Sequence, residues 1–205
     1  MNNKGKRNIG HSSYVDDFIL KGASLFLVWT GRHYRMTRDA DLLGIRPADS
    51  DHLADIFRQI LDAPVPRLMA YTRYSMVAEK LEAIIRLGMA NSRMKDFFDV
   101  WVLCGLFDFD GETLRHACQD TFNRRRNRLP AEMPIAFTYE FFQDEQKRMQ
   151  WQAFIRKAKP DNVSEDLESI VNDISGFCKP IIEAIQREAS FHRVWSDGGP
   201  WRKST

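Results

Sequence analysis

The sequence predicts an α+β protein in which a small mixed sheet with helices is followed by a helical C-terminal region. Three observations carry that expectation. Phe18, Ile19 and Leu20 form a short apolar run that fits a buried strand. The segment Arg38-Asp39-Ala40-Asp41-Leu42-Leu43, broken by Gly44, fits a second strand with its acids on one face. From residue 76 onward, apolar side chains recur at the three- and four-residue spacing of helices. The chain has 205 residues, 43% of them hydrophobic and 12% aromatic. A chain of that size can bury roughly 70% of its unfolded surface as one or two domains. The expected division is a mixed domain over residues 14–107 and a helical region over 108–195. Residues 1–13 and 196–205 are expected to be disordered tails.

After the first strand, Gly22-Ala23-Ser24 makes a turn of small residues that lets a ligand phosphate approach the backbone. A helix follows through Leu25 and Trp29 and ends at Gly31. On the next strand side chains alternate, so Asp39 and Asp41 share a face. Two carboxylates so close repel unless a cation lies between them, and a hard divalent ion, Mg2+ by default, is the natural partner. His33 and Arg35 precede this strand and either touch a ligand phosphate or belong to a surface loop, the second being the preferred reading.

Leu53, Ile56, Phe57 and Ile60 predict an amphipathic helix over 49–61, stopped by Pro64 and Pro66. Residues 68–74 read as a short strand or extended connection, with Ser75 as the cap of a helix over 76–89. Val77, Leu81, Ile84 and Ile85 form the stripe of that helix, and Lys80 lies at its edge. The segment 94–107 is apolar almost all round, as in a buried helix, yet carries Asp96 and Asp99 in its first turns. Those acids either complement the helix N-terminus or belong to a site.

Asp110 caps a predicted helix to about residue 123, which runs into Arg124, Arg125, Arg126 and Arg128. That basic run either grips an RNA backbone or stays solvated at the helix end. Further amphipathic helices are expected over 139–157, with Phe141, Phe142, Met149, Trp151 and Phe154 in the core, and over 164–195, with a kink at Pro180.

Composition excludes little by itself. A formal charge of +2 does not imply a nucleic-acid partner. Cys104, Cys118 and Cys178 lack metal-site spacing and fit reduced thiols, and the five histidines are scattered. No signal peptide and no membrane-length apolar segment is evident, so a soluble cytoplasmic protein is expected.

Strand, Gly-Ala-Ser turn, helix and Asp-x-Asp strand together resemble the nucleotidyltransferase fold of the DNA polymerase β superfamily, and most closely the AbiEii/AbiGii toxin family. Residues 18–44 resemble its first two motifs and residues 77–103 its third and fourth, the fourth through Arg93, Lys95, Asp96 and Asp99. The resemblance implies a shortened nucleotidyltransferase-like domain and a toxin of a bacterial toxin–antitoxin, or abortive-infection, system. Such a toxin moves a nucleoside monophosphate from a magnesium-bound nucleoside triphosphate to an acceptor hydroxyl, with tRNA the expected acceptor and a cognate antitoxin the expected partner. It also implies that Gly22 and Ser24 cradle phosphates and that Asp39 and Asp41 hold magnesium. Lys80 then balances phosphate charge as a movable point charge, Asp96 orients Lys80 or assists the acceptor, Asp99 is structural, and the arginine run holds RNA. The family's third carboxylate is expected ahead of Lys80, but residues 62–75 contain one acid, Asp62. An inactive, truncated homologue that binds nucleotide, RNA or antitoxin is the alternative.

Overall fold

A computed structural model describes residues 18–35, 41–44, 69–160, 163–196 and 198–204. The predicted helix over 49–61, Asp39 and residues 1–13 lie outside the described residues. The chain forms two compact units, one of residues 1–33 and 37–71, the other of residues 34–36 and 72–205.

In the first unit, β1 (Phe18–Lys21) is the central strand of a three-stranded sheet. Beside it, β2 (Asp41–Gly44) runs antiparallel with Lys21 opposite Asp41, and β3 (Met69–Ala70) runs parallel with Leu20 opposite Ala70. Between β1 and β2 lies α1 (Ser24–Thr30), whose Leu25 and Phe26 are buried. It ends where the sequence indicated. Gly31 takes the left-handed φ of 70° and returns its N–H to the Leu27 carbonyl at 2.9 Å, a conformation that glycine adopts without Cβ strain.

The second unit is built on α2 (Arg73–Leu87), α3 (Met94–Leu106), α4 (Gly111–Arg124) and α7 (Leu167–Gln186). Helix α2 packs on α3 and α4, and both of these pack on α7. The boundary between units therefore falls after Tyr71 and not near residue 107. The cause is apolar coverage: α3 buries Phe97, Phe98, Val100 and Leu103 and needs neighbours on several sides. Asp110 caps α4 as expected, accepting from Thr113 N–H at 2.8 Å.

Four local expectations are corrected. Helix α2 starts three residues early, because Thr72 and not Ser75 is the cap, with Thr72 Oγ1 accepting the Ser75 N–H at 3.1 Å. The single helix expected over 139–157 is two, α5 (Tyr139–Gln143) and α6 (Glu145–Ala158), parted at Asp144, whose carboxylate accepts the Lys147 N–H. Of its expected core residues, Met149 is exposed. Lastly, α7 stops at Gln186, and the chain then forms a second sheet in place of a longer helix and a loose tail.

That sheet has the order β4 (Phe109–Asp110), β5 (Arg193–Trp195), β6 (Arg202–Lys203), with both pairs antiparallel. Beneath it Phe109, Phe177, Phe191, Trp195 and Trp201 pack ring on ring, with Phe177 stacked on Trp201 at 5.5 Å. Both indole N–H groups are satisfied, Trp195 by the Cys104 carbonyl at 2.7 Å and Trp201 by the Phe177 carbonyl at 2.9 Å. Cys104, Cys118 and Cys178 are buried and unbridged, and burial pushes the Cys104 and Cys118 thiols up to about 12. Among the described residues no helix is long and apolar enough to cross a membrane.

Two glycines test this packing in opposite directions. A Cβ on Gly111 would lie 2.5 Å from Phe191 Cδ1 and 2.7 Å from its carbonyl oxygen, whereas one on Gly176 in α7 would meet nothing within 4 Å. Gly111→Ala is expected to destabilise by about 1 to 3 kcal/mol. Gly176→Ala is expected to stabilise by about 0.4 to 1 kcal/mol. Urea midpoints measure both, and a harmless Gly111→Ala would contradict the seating of residues 191–193 on α4.

Candidate functional site

Two constellations carry chemistry, one in each unit. In the first, the pairing of Lys21 with Asp41 sets the Asp41 side chain beside the next residue, Gly22. The approach is close: a Cβ on Gly22 would fall 2.1 Å from Asp41 Oδ2 and 3.0 Å from its Cγ. Gly22 also has φ +76°, so its identity follows both from conformation and from the carboxylate lying against it. The Gly22 carbonyl accepts the Leu25 N–H at 3.2 Å, which starts α1 and sets Ser24 in its first turn. Asp41 is exposed, so its oxygens are open to a ligand. Asp39, which was expected to share its face, lies outside the described residues.

In the second unit, Lys80 of α2 meets two acids of α3. Asp96 and Asp99 are one turn apart and so face the same way. Lys80 Nζ lies 2.9 Å from Asp96 Oδ1 and 2.7 Å from Asp99 Oδ2. Arg35 closes the group from the other side, its Nε 2.7 Å from Asp99 Oδ1 and its second nitrogen 2.9 Å from Asp99 Oδ2, a bidentate grip. Both acids are essentially sealed, with Asp96 1% and Asp99 0% exposed. Arg93 Nε lies 2.7 Å from Asp96 Oδ2, but only as an ion pair, and that oxygen has no hydrogen bond.

Burial would raise Asp99, but the Lys80 ammonium and the Arg35 guanidinium outweigh it and hold the carboxyl below its usual range. Burial would likewise lower Lys80, but Asp99 and Asp96 outweigh that and raise it. Lys80 is thus not a movable point charge: its ammonium is fixed between two carboxylates. Arg35 is the residue that sequence reasoning misplaced on a surface loop. The available signal was Asp99 itself, an acid on a helix apolar almost all round, which requires a cation from elsewhere in the chain.

The arginine run divides. Arg124 pairs with Glu79, and Arg125 pairs with both Glu79 and the fully buried Glu82. Glu82 also accepts from Arg86 at 2.9 Å and from Asn127 at 2.5 Å. Two of the four guanidiniums therefore join α4 to α2, and Arg126 and Arg128 stand exposed without an ion pair among the described residues. The run does not present four free cations to a polynucleotide.

The family model for the nucleotidyl transferase AbiEii toxin of type IV toxin–antitoxin systems matches residues 6–68 and 58–173. The chain belongs to the AbiEii family. Membership implies a toxin of a toxin–antitoxin system with nucleotidyltransferase-type activity, and thus an antitoxin partner and a nucleotide substrate. No curated protein and no solved structure matches the chain. The two matched stretches overlap at residues 58–68. Nucleotidyltransferases generally use a divalent metal ion. Among the described residues of this AbiEii protein no three His, Cys, Asp or Glu side chains are grouped to hold one. Asp41 is nonetheless a fitting donor, an exposed carboxylate at a glycine turn, and hard cations of this class need only one or two protein carboxylates beside phosphate and water oxygens.

Removing Lys80 leaves two buried carboxylates facing each other, so Lys80→Met is expected to cost about 3 to 5 kcal/mol. The pH dependence has a definite sign. Asp99 has its folded pKa depressed, so its contribution is present above the unfolded carboxylate pKa and is lost as pH falls through the folded value, below about pH 4. Lys80 is raised, so its contribution is full below about pH 10 and is lost above. Urea midpoints against pH should show a shallower acid limb in Asp99→Asn than in the parent, and identical limbs would exclude Asp99 as a source.

Proposed function

We propose that this AbiEii protein transfers a nucleoside monophosphate from a nucleoside triphosphate to an acceptor hydroxyl, the acceptor being the end of a tRNA. The observation that carries the proposal is the Asp41 carboxylate lying against Gly22 at the mouth of a small-residue turn. In the reaction the acceptor oxygen loses its proton and bonds the α-phosphorus, while the bond from the α-phosphorus to the α–β bridging oxygen breaks and that oxygen leaves with pyrophosphate.

Gly22 and Ser24 would cradle the terminal phosphates, Ser24 through its hydroxyl, with the Asp41 carboxylate in the space that a Gly22 Cβ would fill. Asp41, together with Asp39 as the sequence suggests, would hold Mg2+. When bound, that ion neutralises phosphate charge and helps generate the attacking oxygen. Lys80, held between Asp96 and Asp99, would balance phosphate charge, and Asp96 would orient it. The acceptor RNA is held by exposed cations, of which Arg126 and Arg128 keep their charge uncompensated and Arg124 and Arg125 do not.

A second reading is favoured by one observation: Lys80, Asp96, Asp99 and Arg35 form a closed, buried and mutually neutralised group. Such a group supports a protein that binds nucleotide, RNA or its antitoxin without turnover.

Incubation with each α-labelled nucleoside triphosphate, Mg2+ and total tRNA separates the two. We expect label to enter tRNA from at least one nucleotide and Asp41→Asn to slow it by about a hundredfold or more. Because Asp41 is exposed, the variant should keep its stability within about 0.5 kcal/mol. Unchanged labelling by Asp41→Asn would remove the proposed site, and absence of label with all four nucleotides would leave the binding reading.

A further inference from the structure

The C-terminal end of α7 and the β5–β6 pair enclose a cleft of about 540 Å³ whose charged lining is Arg187, His192, Arg193, Lys203 and Glu183. Every residue lining it lies beyond residue 173, where the family match ends. Arg187, His192, Arg193 and Lys203 are all exposed. Glu183 is the one acid among the described lining residues, and it reaches only Arg187, at 3.6 Å and in the open, a contact of little energy that another anion can replace.

Two features mark the cleft as built for an anion. Arg193 and Lys203 are direct cross-strand partners, so two like charges face one another with no acid partner on either among the described residues. Like charges so opposed destabilise a strand pair. A sequence that keeps such a conflict while surrounding it with stabilising contacts is arranged for a ligand that resolves it. The surroundings are indeed held fast. Phe191 lies under Arg193 with the guanidinium carbon 5.6 Å from the ring centre, and its backbone N–H is held by Glu112 Oε2 at 2.7 Å. Trp195 and Trp201 anchor the two strands from below.

From this geometry we infer that the cleft binds the phosphate backbone of RNA, with Arg187, Arg193 and Lys203 as its contacts. The inference rests on the transferase reading only in naming the acceptor as RNA. An acidic protein segment is the rival occupant. Protein interfaces centre on exposed aromatic or aliphatic anchors with charge depleted, whereas Phe191, the phenylalanine lining this cleft, is only 9% exposed and Arg187, Arg193 and Lys203 stand exposed around it. Nucleic-acid interfaces carry an excess of positive charge, and here three cations line the cleft against one acid.

The test measures binding of a labelled 20-nucleotide single-stranded RNA of mixed sequence by fluorescence anisotropy from 50 to 200 mM salt, without nucleotide or magnesium, so that a failed transferase does not affect it. Three cations neutralising phosphates contribute about 2 to the slope of log affinity against log salt. Arg187→Ala/Arg193→Ala/Lys203→Ala should lower the slope by that amount, and the parent should then lose roughly 15- to 20-fold more affinity than the variant across the range. The charge-keeping pair Arg187→Lys/Arg193→Lys should retain the parental slope, which separates charge from folding. An unchanged slope in the triple variant overturns the inference. So does tighter binding of a labelled poly-glutamate peptide than of RNA, which would assign the cleft to an acidic protein.

Discussion

The second unit depends on one buried carboxylate. Asp99 is fully sealed, and a bare charge in that position would cost several kcal/mol, so the chain must bring cations to it. It brings two, from far apart in sequence: Lys80 from α2 and Arg35 from a segment that otherwise belongs to the other half of the chain. The consequence is topological. Residues 34–36 belong to the second unit although α1 before them and β2 after them belong to the first, and Arg35 is held there by a bidentate ion pair.

Helix α2 is held by charge along much of its length. Lys80 ties it to α3, while Glu79 and Glu82 tie it to the end of α4 through Arg124 and Arg125. The apolar stripe of Val77, Leu81 and Ile84 supplies most of the burial, and the ion pairs on its flanks set the rotation at which that stripe is presented. This explains why a run of arginines at a helix end need not face a polynucleotide. A buried Glu82 with four acceptor positions recruits the nearest donors, and the chain has supplied Arg86, Arg125 and Asn127.

What was legible in the sequence follows from what is local. The first strand, the glycine turn, α1 with its Gly31 stop, the Asp110 cap and the apolar stripes of α2, α3 and α7 all rest on spacing within a few residues. What was not legible is long-range. No local signal connects Arg35 with Asp99, 64 positions away. Trp195 reads as the end of a long helix, and residues 196–205 as a loose tail because they contain Gly198, Gly199 and Pro200. Yet those residues form the turn that lets two indoles close on Phe177, and this burial outweighs the cost of ordering the end. The break at Asp144 failed for another reason. An apolar period continued across it, and only the capping chemistry of the aspartate distinguishes one long helix from two.

Lys80, Asp96 and Asp99, the residues that resemble the family's third and fourth motifs, form the ion cluster that joins α2 to α3. A double-mutant cycle on Lys80 and Asp99, using Lys80→Met, Asp99→Asn and the pair, with unfolding free energies at pH 7, tests that claim most directly. A coupling of about 2 kcal/mol or more is expected, since each charge is buried against the other. A coupling near zero would contradict the account and reduce the cluster to independent surface-like charges.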